Sequence, residues 1–189
     1  AIQAADAILC DANLPEAALA YLVEQARNIP VHAIGISPAK VTRLAGLLDR
    51  IAILFVNRRE AATLTGLGTD ADPAAFVREL RARGLKRGAV TGGGGDLLAF
   101  DGAESWAVAP PAPREIIDVT GAGDAIAGVT VARLLEGAPF IDAVRTGMAA
   151  ARLAIEAETS VPSFDRGSLV AALANVPDAR PLDTTMETD

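Results

Sequence analysis

The chain has 189 residues, 51% of them hydrophobic, with 17 basic against 24 acidic side chains and a formal net charge of −7. That is enough apolar material for one well-buried domain, and the acidic balance disfavours nucleic acid and anionic membrane as partners. Cys10 is the only cysteine and His32 the only histidine, so neither a disulfide framework nor a Cys/His zinc site can be assembled. No apolar run reaches the roughly 18 residues that span a bilayer, and no basic secretion signal opens the chain, so a reducing cytoplasm is the expected location.

In chain order, residues 7–10 form a short apolar run closed by Asp11-Ala12-Asn13. Pro15 then opens a helical pattern to residue 27, with Leu19, Leu22, Val23 and Ala26 on one face. The unit repeats: 31–36 reads as a strand ended by Ser37-Pro38, and Val41, Leu44, Leu47 and Leu48 mark a short helix. Residues 51–56 give a third strand, after which Asn57 caps a helix carrying Glu60, Ala61 and Leu64 before Gly66 stops it. A helix over 73–83 follows, then a strand at 89–91, the glycine run 92–95, and a hairpin of 97–100 with 106–109 turning at Asp101-Gly102. Strands alternating with helices predict a parallel α/β sheet with a late antiparallel edge. Pro110, Pro111 and Pro113 make a stiff connector, and two long helical patterns follow at 122–135 and 140–155, with a last one at 168–174. Residues 176–189 hold prolines, threonines and acids with little to bury, which predicts a mobile tail beyond a body of 1–175. No solenoid repeat and no interdomain linker is evident.

The connector leads into Asp118-Val119-Thr120-Gly121-Ala122-Gly123-Asp124, directly before the apolar helical run. Glycines at a loop-to-helix junction let backbone N–H groups converge where the helix dipole is positive, which makes an anion site. An aspartate on the first turn stands within reach of a hydroxyl approaching that anion, a candidate general base. A plain glycine-rich helix start accounts for the glycines and for Asp124 separately, but gives no reason for Asp118. Other patterns fail on inspection. Gly123 and Gly128 have Walker spacing, yet Val129 replaces the required lysine. No dinucleotide fingerprint fits either glycine cluster. Ser37-Pro38-Ala39-Lys40 lacks the companion motifs of penicillin-recognising enzymes.

The run from Asp118 to Asp124 resembles the second signature of the PfkB (ribokinase-like) family of carbohydrate and nucleoside kinases, with Val129 departing from the usual Ala or Gly. The resemblance implies a ribokinase-like three-layer αβα domain, a mostly parallel sheet with an antiparallel edge hairpin. It implies an anion hole at Gly121, Ala122 and Gly123, with Asp124 taking the proton of the substrate hydroxyl. Asn57 and Glu60 would order Mg²⁺ through water; an amide and a carboxylate one helical turn apart suit a cation that keeps much of its water, although the same pair also reads as a capping box. Thr91 and Gly93 would line the ATP phosphates and ribose. Met148 would contact adenine, or would equally be a core methionine. Asp118 and Thr120 would flank a monovalent cation such as K⁺.

Asp11-Ala12-Asn13-Leu14, Pro30-Val31, Ser37-Pro38-Ala39-Lys40, Arg43-Leu44, Asn57-Arg58, Glu60-Ala61, Leu64-Thr65-Gly66 and the segment from Glu156 to Pro162 resemble the pseudouridine kinase branch. Ile34-Gly35 departs from the Asp-Pro pair usual there. This implies ATP-dependent transfer to a primary 5′ hydroxyl, that of pseudouridine first, by a homodimer when full length. Ala1 does not look like a native start, and family members carry over a hundred earlier residues with a substrate-binding Asp and a β-lid, so a C-terminal portion is expected. Three alternatives stay open: another PfkB sugar kinase of the ribokinase type, an ATP-dependent NAD(P)H-hydrate dehydratase matched by Gly123-Asp124 and Ala127-Gly128, and a non-catalytic nucleotide-binding fragment.

Overall fold

The computed structural model describes residues 2–158 and 164–185. Strands β1 (Ile8–Asp11), β2 (Val31–Ile34), β3 (Ile53–Asn57) and β4 (Arg87–Gly92) run parallel. Beyond β4, β5 (Gly95–Asp101), β6 (Glu104–Val108) and β7 (Arg180–Pro181) each pair antiparallel, so strand order across the sheet is the order in the chain.

Alternation within the strands sends side chains to two separate cores. Ala33, Leu54, Val56, Val90, Leu98 and Phe100 face α1 (Glu16–Ala26), α3 (Arg58–Thr65) and α4 (Pro73–Ala82), represented there by Leu19, Leu64 and Phe76. Ile53, Phe55, Ala89, Leu97 and Ala99 face α5 (Ala122–Leu135), α6 (Phe140–Ile155) and α7 (Arg166–Leu173) on the other side. Helices on both faces explain why β3 is apolar at four consecutive positions rather than alternating. The layered αβα arrangement expected from the sequence is present. No helix among the described residues is long and apolar enough to cross a membrane.

Local signals set the helix ends. Asp72 caps α4 with a proline at its first turn, and Gly66 closes α3 at φ +81°, a left-handed conformation that glycine adopts without strain. Two sequence expectations are corrected. The segment after Ser37 is not one short helix: a single turn, α2 (Pro38–Val41), passes into a 3-10 helix at Thr42–Arg50. Residues 176–185 are not a loose tail, because Val176 is buried, β7 pairs with β6, and the Ser105 hydroxyl donates to the Leu182 carbonyl at 2.8 Å. Thr159, Ser160, Val161 and Pro162, part of the branch resemblance, lie outside the described residues, as do 186–189.

α5 is set by its fit against α6. A Cβ on Gly147 of α6 would stand 2.7 Å from the Ile126 carbonyl oxygen and 2.5 Å from Thr130 Oγ1, so the two helices approach as closely as they do only because that side chain is missing. Gly147→Ala should therefore push α5 outward and cost about 1–3 kcal/mol, read as a lower denaturant midpoint at an unchanged slope.

His32 on β2 is 5% exposed and its Nδ1 has no hydrogen-bond partner among the described residues. Burial first, and the Arg87 charge second, push its pKa from 6.5 down to about 4. The fold thus holds it neutral while the unfolded chain takes up a proton, so its contribution to stability is complete above pH 6.5 and is lost as pH falls toward 4. Melting temperature should drop across that window, with a total loss on the order of 3 kcal/mol at most, and His32→Leu should flatten the drop.

Candidate active site

The parallel register aligns four strand ends on one edge: Asp11 stands beside Ile34, Ile34 beside Phe55, and Asn57 beside Thr91. Ligands of open α/β sheets bind outside the carboxyl ends of parallel strands. Asn57 and Thr91 stand at this edge, and Asp124 reaches it through the cleft it lines with Asp11 and Ile34.

Gly121 enters α5 at φ +81° with no side chain capping the helix. The Ala122 N–H donates to the Val119 carbonyl at 3.4 Å, a long bond, and the Gly123 and Asp124 N–H groups are left for a ligand or water. Ideal Cβ atoms on Gly123 and Gly128 would meet nothing within 4 Å, so this end of the helix is open to approach. Asp124 is exposed on the first turn and lines an open cleft of about 530 Å³ together with Leu9, Asp11, Leu14 and Ile34. The Asp118 carboxylate accepts the Thr120 backbone N–H at 2.9 Å; hydrogen bonds from Thr120 hold its pKa below the usual carboxylate range, so it stays charged. The loop is pinned to the end of α6, where the Ile117 N–H donates to the Ile155 carbonyl at 2.8 Å. Glu156 completes the clamp, accepting from the Arg114 backbone N–H at 2.7 Å and from Arg152 Nε at 3.0 Å. The sequence reading missed this clamp; the four-residue spacing of Arg152 and Glu156 was its visible sign.

Asn57 and Glu60 come together as a complete capping box at the start of α3. Asn57 Oδ1 accepts the Glu60 N–H at 3.0 Å, while Glu60 Oε2 accepts the Asn57 N–H at 2.9 Å and Oε1 accepts from Asn57 Nδ2 at 2.7 Å. The cap does not exhaust the pair, because Asn57 is exposed and Glu60 is 3% exposed with no cationic partner among the described ion pairs. Burial pushes the Glu60 carboxyl up, against the Asn57 hydrogen bonds that hold it down. A buried carboxylate without a countercharge at a ligand-facing edge fits a nearby cation. Among the described residues no group of three or more His, Cys, Asp or Glu forms a cage, so Mg²⁺ here fits as an ion held by phosphates and water and steadied by Asn57 and Glu60.

Thr91 pairs with Asn57 across the sheet and Gly93 follows in the β4–β5 turn at φ +65°; neither lines the cleft that Asp124 lines. Met148 is set apart: 5% exposed, it packs among the apolar residues beneath α6 and serves as a core methionine, not as an open face for a base. Three of the branch segments, 11–14, 37–40 and 43–44, meet next to the cleft. Lys40 Nζ donates to Asn13 Oδ1 at 2.5 Å, and one Arg43 nitrogen donates to the Ala12 and Asn13 carbonyls at 2.9 Å each.

A family model described as pfkB family carbohydrate kinase matches residues 1–165. The pseudouridine kinase of Escherichia coli (strain K12) is 31% identical over 179 residues, covering 92% of this chain and 56% of that protein. A carbohydrate kinase from Agrobacterium tumefaciens has a similar structure, with a TM-score of 0.79 at 40% identity over 96% of this chain and 58% of that one. Arabidopsis thaliana ribokinase, solved with ribose and ATP, shares the fold with a TM-score of 0.80 at 24% identity over 91% of this chain and 57% of that one. The chain thus spans somewhat over half the length of these relatives. A family match over most of the chain and an α/β architecture shared with ribokinase lead to one conclusion: the chain belongs to the pfkB family of carbohydrate kinases.

Proposed function

We propose that this chain carries the nucleotide-binding and proton-accepting part of an ATP-dependent kinase that phosphorylates the primary 5′ hydroxyl of a nucleoside, pseudouridine in the first place. The observation that carries the reading is Asp124, exposed on the first turn of α5 beside the Gly121-Ala122-Gly123 amides and facing an open cleft. The relative of this name supports pseudouridine, and the Asn13, Lys40 and Arg43 contacts join three of the segments that resemble that branch.

Bound Mg·ATP supplies the phosphoryl group and offsets much of its charge. Asp124 accepts the hydroxyl proton as the acceptor oxygen approaches phosphorus. The amides of Gly121, Ala122 and Gly123 donate to the phosphoryl oxygens, the Ala122 N–H giving up its 3.4 Å bond to the Val119 carbonyl, and the positive end of α5 adds its field. Asn57 and Glu60 would hold Mg²⁺ through water, and the ion would supply charge to the phosphates, while Thr91 and Gly93 would bound the nucleotide. Asp118, held ionised by Thr120, suits a monovalent cation such as K⁺.

In the protein produced from its complete gene, Asp124→Asn should lower kcat by about 10²–10⁴-fold with little change in Mg·ATP binding. Near wild-type turnover would remove Asp124 from the role of base. Among pseudouridine, uridine, cytidine and ribose, kcat/KM should be highest for pseudouridine; a preference for ribose would replace the reading with a ribokinase-type sugar kinase.

A further inference from the structure

Gly35 follows the last residue of β2 and remains tied to the sheet, its N–H donating to the Phe55 carbonyl at 2.9 Å. It is not among the residues at positive φ, so its backbone would accept an ordinary side chain. Space forbids one. An ideal Cβ at Gly35 would stand 2.3 Å from Glu60 Oε2, 2.8 Å from Glu60 Cδ and 3.0 Å from Val56 Cγ1. In this chain the Glu60 carboxylate occupies the volume that a Cβ at position 35 would fill, a position where the branch it resembles usually carries proline.

Two contacts give Glu60 its orientation, the Asn57 N–H to Oε2 and Asn57 Nδ2 to Oε1. Both come from one residue on one side, so the opposite side is set by what is missing from Gly35. The first atom an added methyl would displace is Oε2, the oxygen that closes the cap. Because that oxygen ends a flexible side chain, Glu60 can swing aside at modest cost to the fold while losing its alignment at the carboxyl edge of the sheet.

We propose that Gly35 is a positioning residue for the phosphate side of the site: by withholding a side chain it fixes the direction of the Glu60 carboxylate, and through it the Mg²⁺ concentration at which nucleotide binds. This rests on the role given to Glu60 above.

The test is a Mg²⁺ titration of ATP binding, followed by calorimetry on the complete protein, for wild type, Gly35→Ala, Glu60→Ala and the double variant. Glu60→Ala should raise the Mg²⁺ midpoint by about tenfold, and Gly35→Ala should reproduce most of that rise. The double variant should be no worse than Glu60→Ala alone, since the group that Gly35 accommodates is then gone. Gly35→Ala combined with Glu60→Asp, whose shorter side chain withdraws from the added methyl, should recover part of the lost midpoint and melting temperature, which keeps the test decisive if Gly35→Ala folds poorly. A wild-type midpoint for Gly35→Ala beside a raised one for Glu60→Ala would overturn the positioning role and leave the kinase reading standing. Additive losses in the double variant would also overturn it. An unchanged midpoint for Glu60→Ala would remove the Mg²⁺ role of Glu60 and the inference with it.

Discussion

The lateral register of four parallel strands is the constraint from which the site follows. With Asp11 beside Ile34 and Asn57 beside Thr91, the turns leaving β1, β2, β3 and β4 must all open at one edge. Side chains alternate with a period of two, so a slip by a single residue would exchange the two cores and turn Ile53 and Phe55 toward the wrong helices. Burial on both faces therefore fixes the strand ends as firmly as it fixes the interior. Asn57 can begin a helix at the rim only because Leu54 and Val56 cannot move.

The edge divides into two electrostatic parts. On the α5 side, unsatisfied amides and the helix dipole offer partial positive charge in a chain of net charge −7. On the α3 side, Glu60 offers a buried negative charge with no cation paired to it among the described ion pairs, in contrast to Asp118, which hydrogen bonds keep ionised at the surface. An anion with its own divalent counterion meets both needs at once. Neither part alone points to a nucleotide; their placement on one sheet edge does.

Much of this was legible in the sequence, and the rest has physical reasons for being hidden. The β-branched runs of β2 and β3, the caps at Asn57 and Asp72, and the glycines before α5 each act locally, so each leaves a local sign. β7 left none, because two residues including Pro181 show no alternation and depend on the neighbouring strand β6. Gly35 reads only as a glycine within the 31–36 strand, since only the folded chain brings Glu60 against it. Met148 shows why helical spacing cannot separate a core methionine from one that faces a ligand: both recur on the same face of a helix, and only burial distinguishes them.

Strand order that follows chain order also shapes how the molecule can assemble. Each of the first five pairings joins neighbours along the chain, so the loops to be closed are short and the sheet can grow by adding one strand and its helix at a time. The exception is the last. β7 reaches back to Trp106 and Ala107, and Arg180 binds Asp96, closing the longest loop in the sheet. Synthesis of the chain would thus leave the β6 edge uncovered until residues 180–185 have emerged, which makes that edge the last to be sealed and the most exposed to wrong strand pairing in a nascent chain.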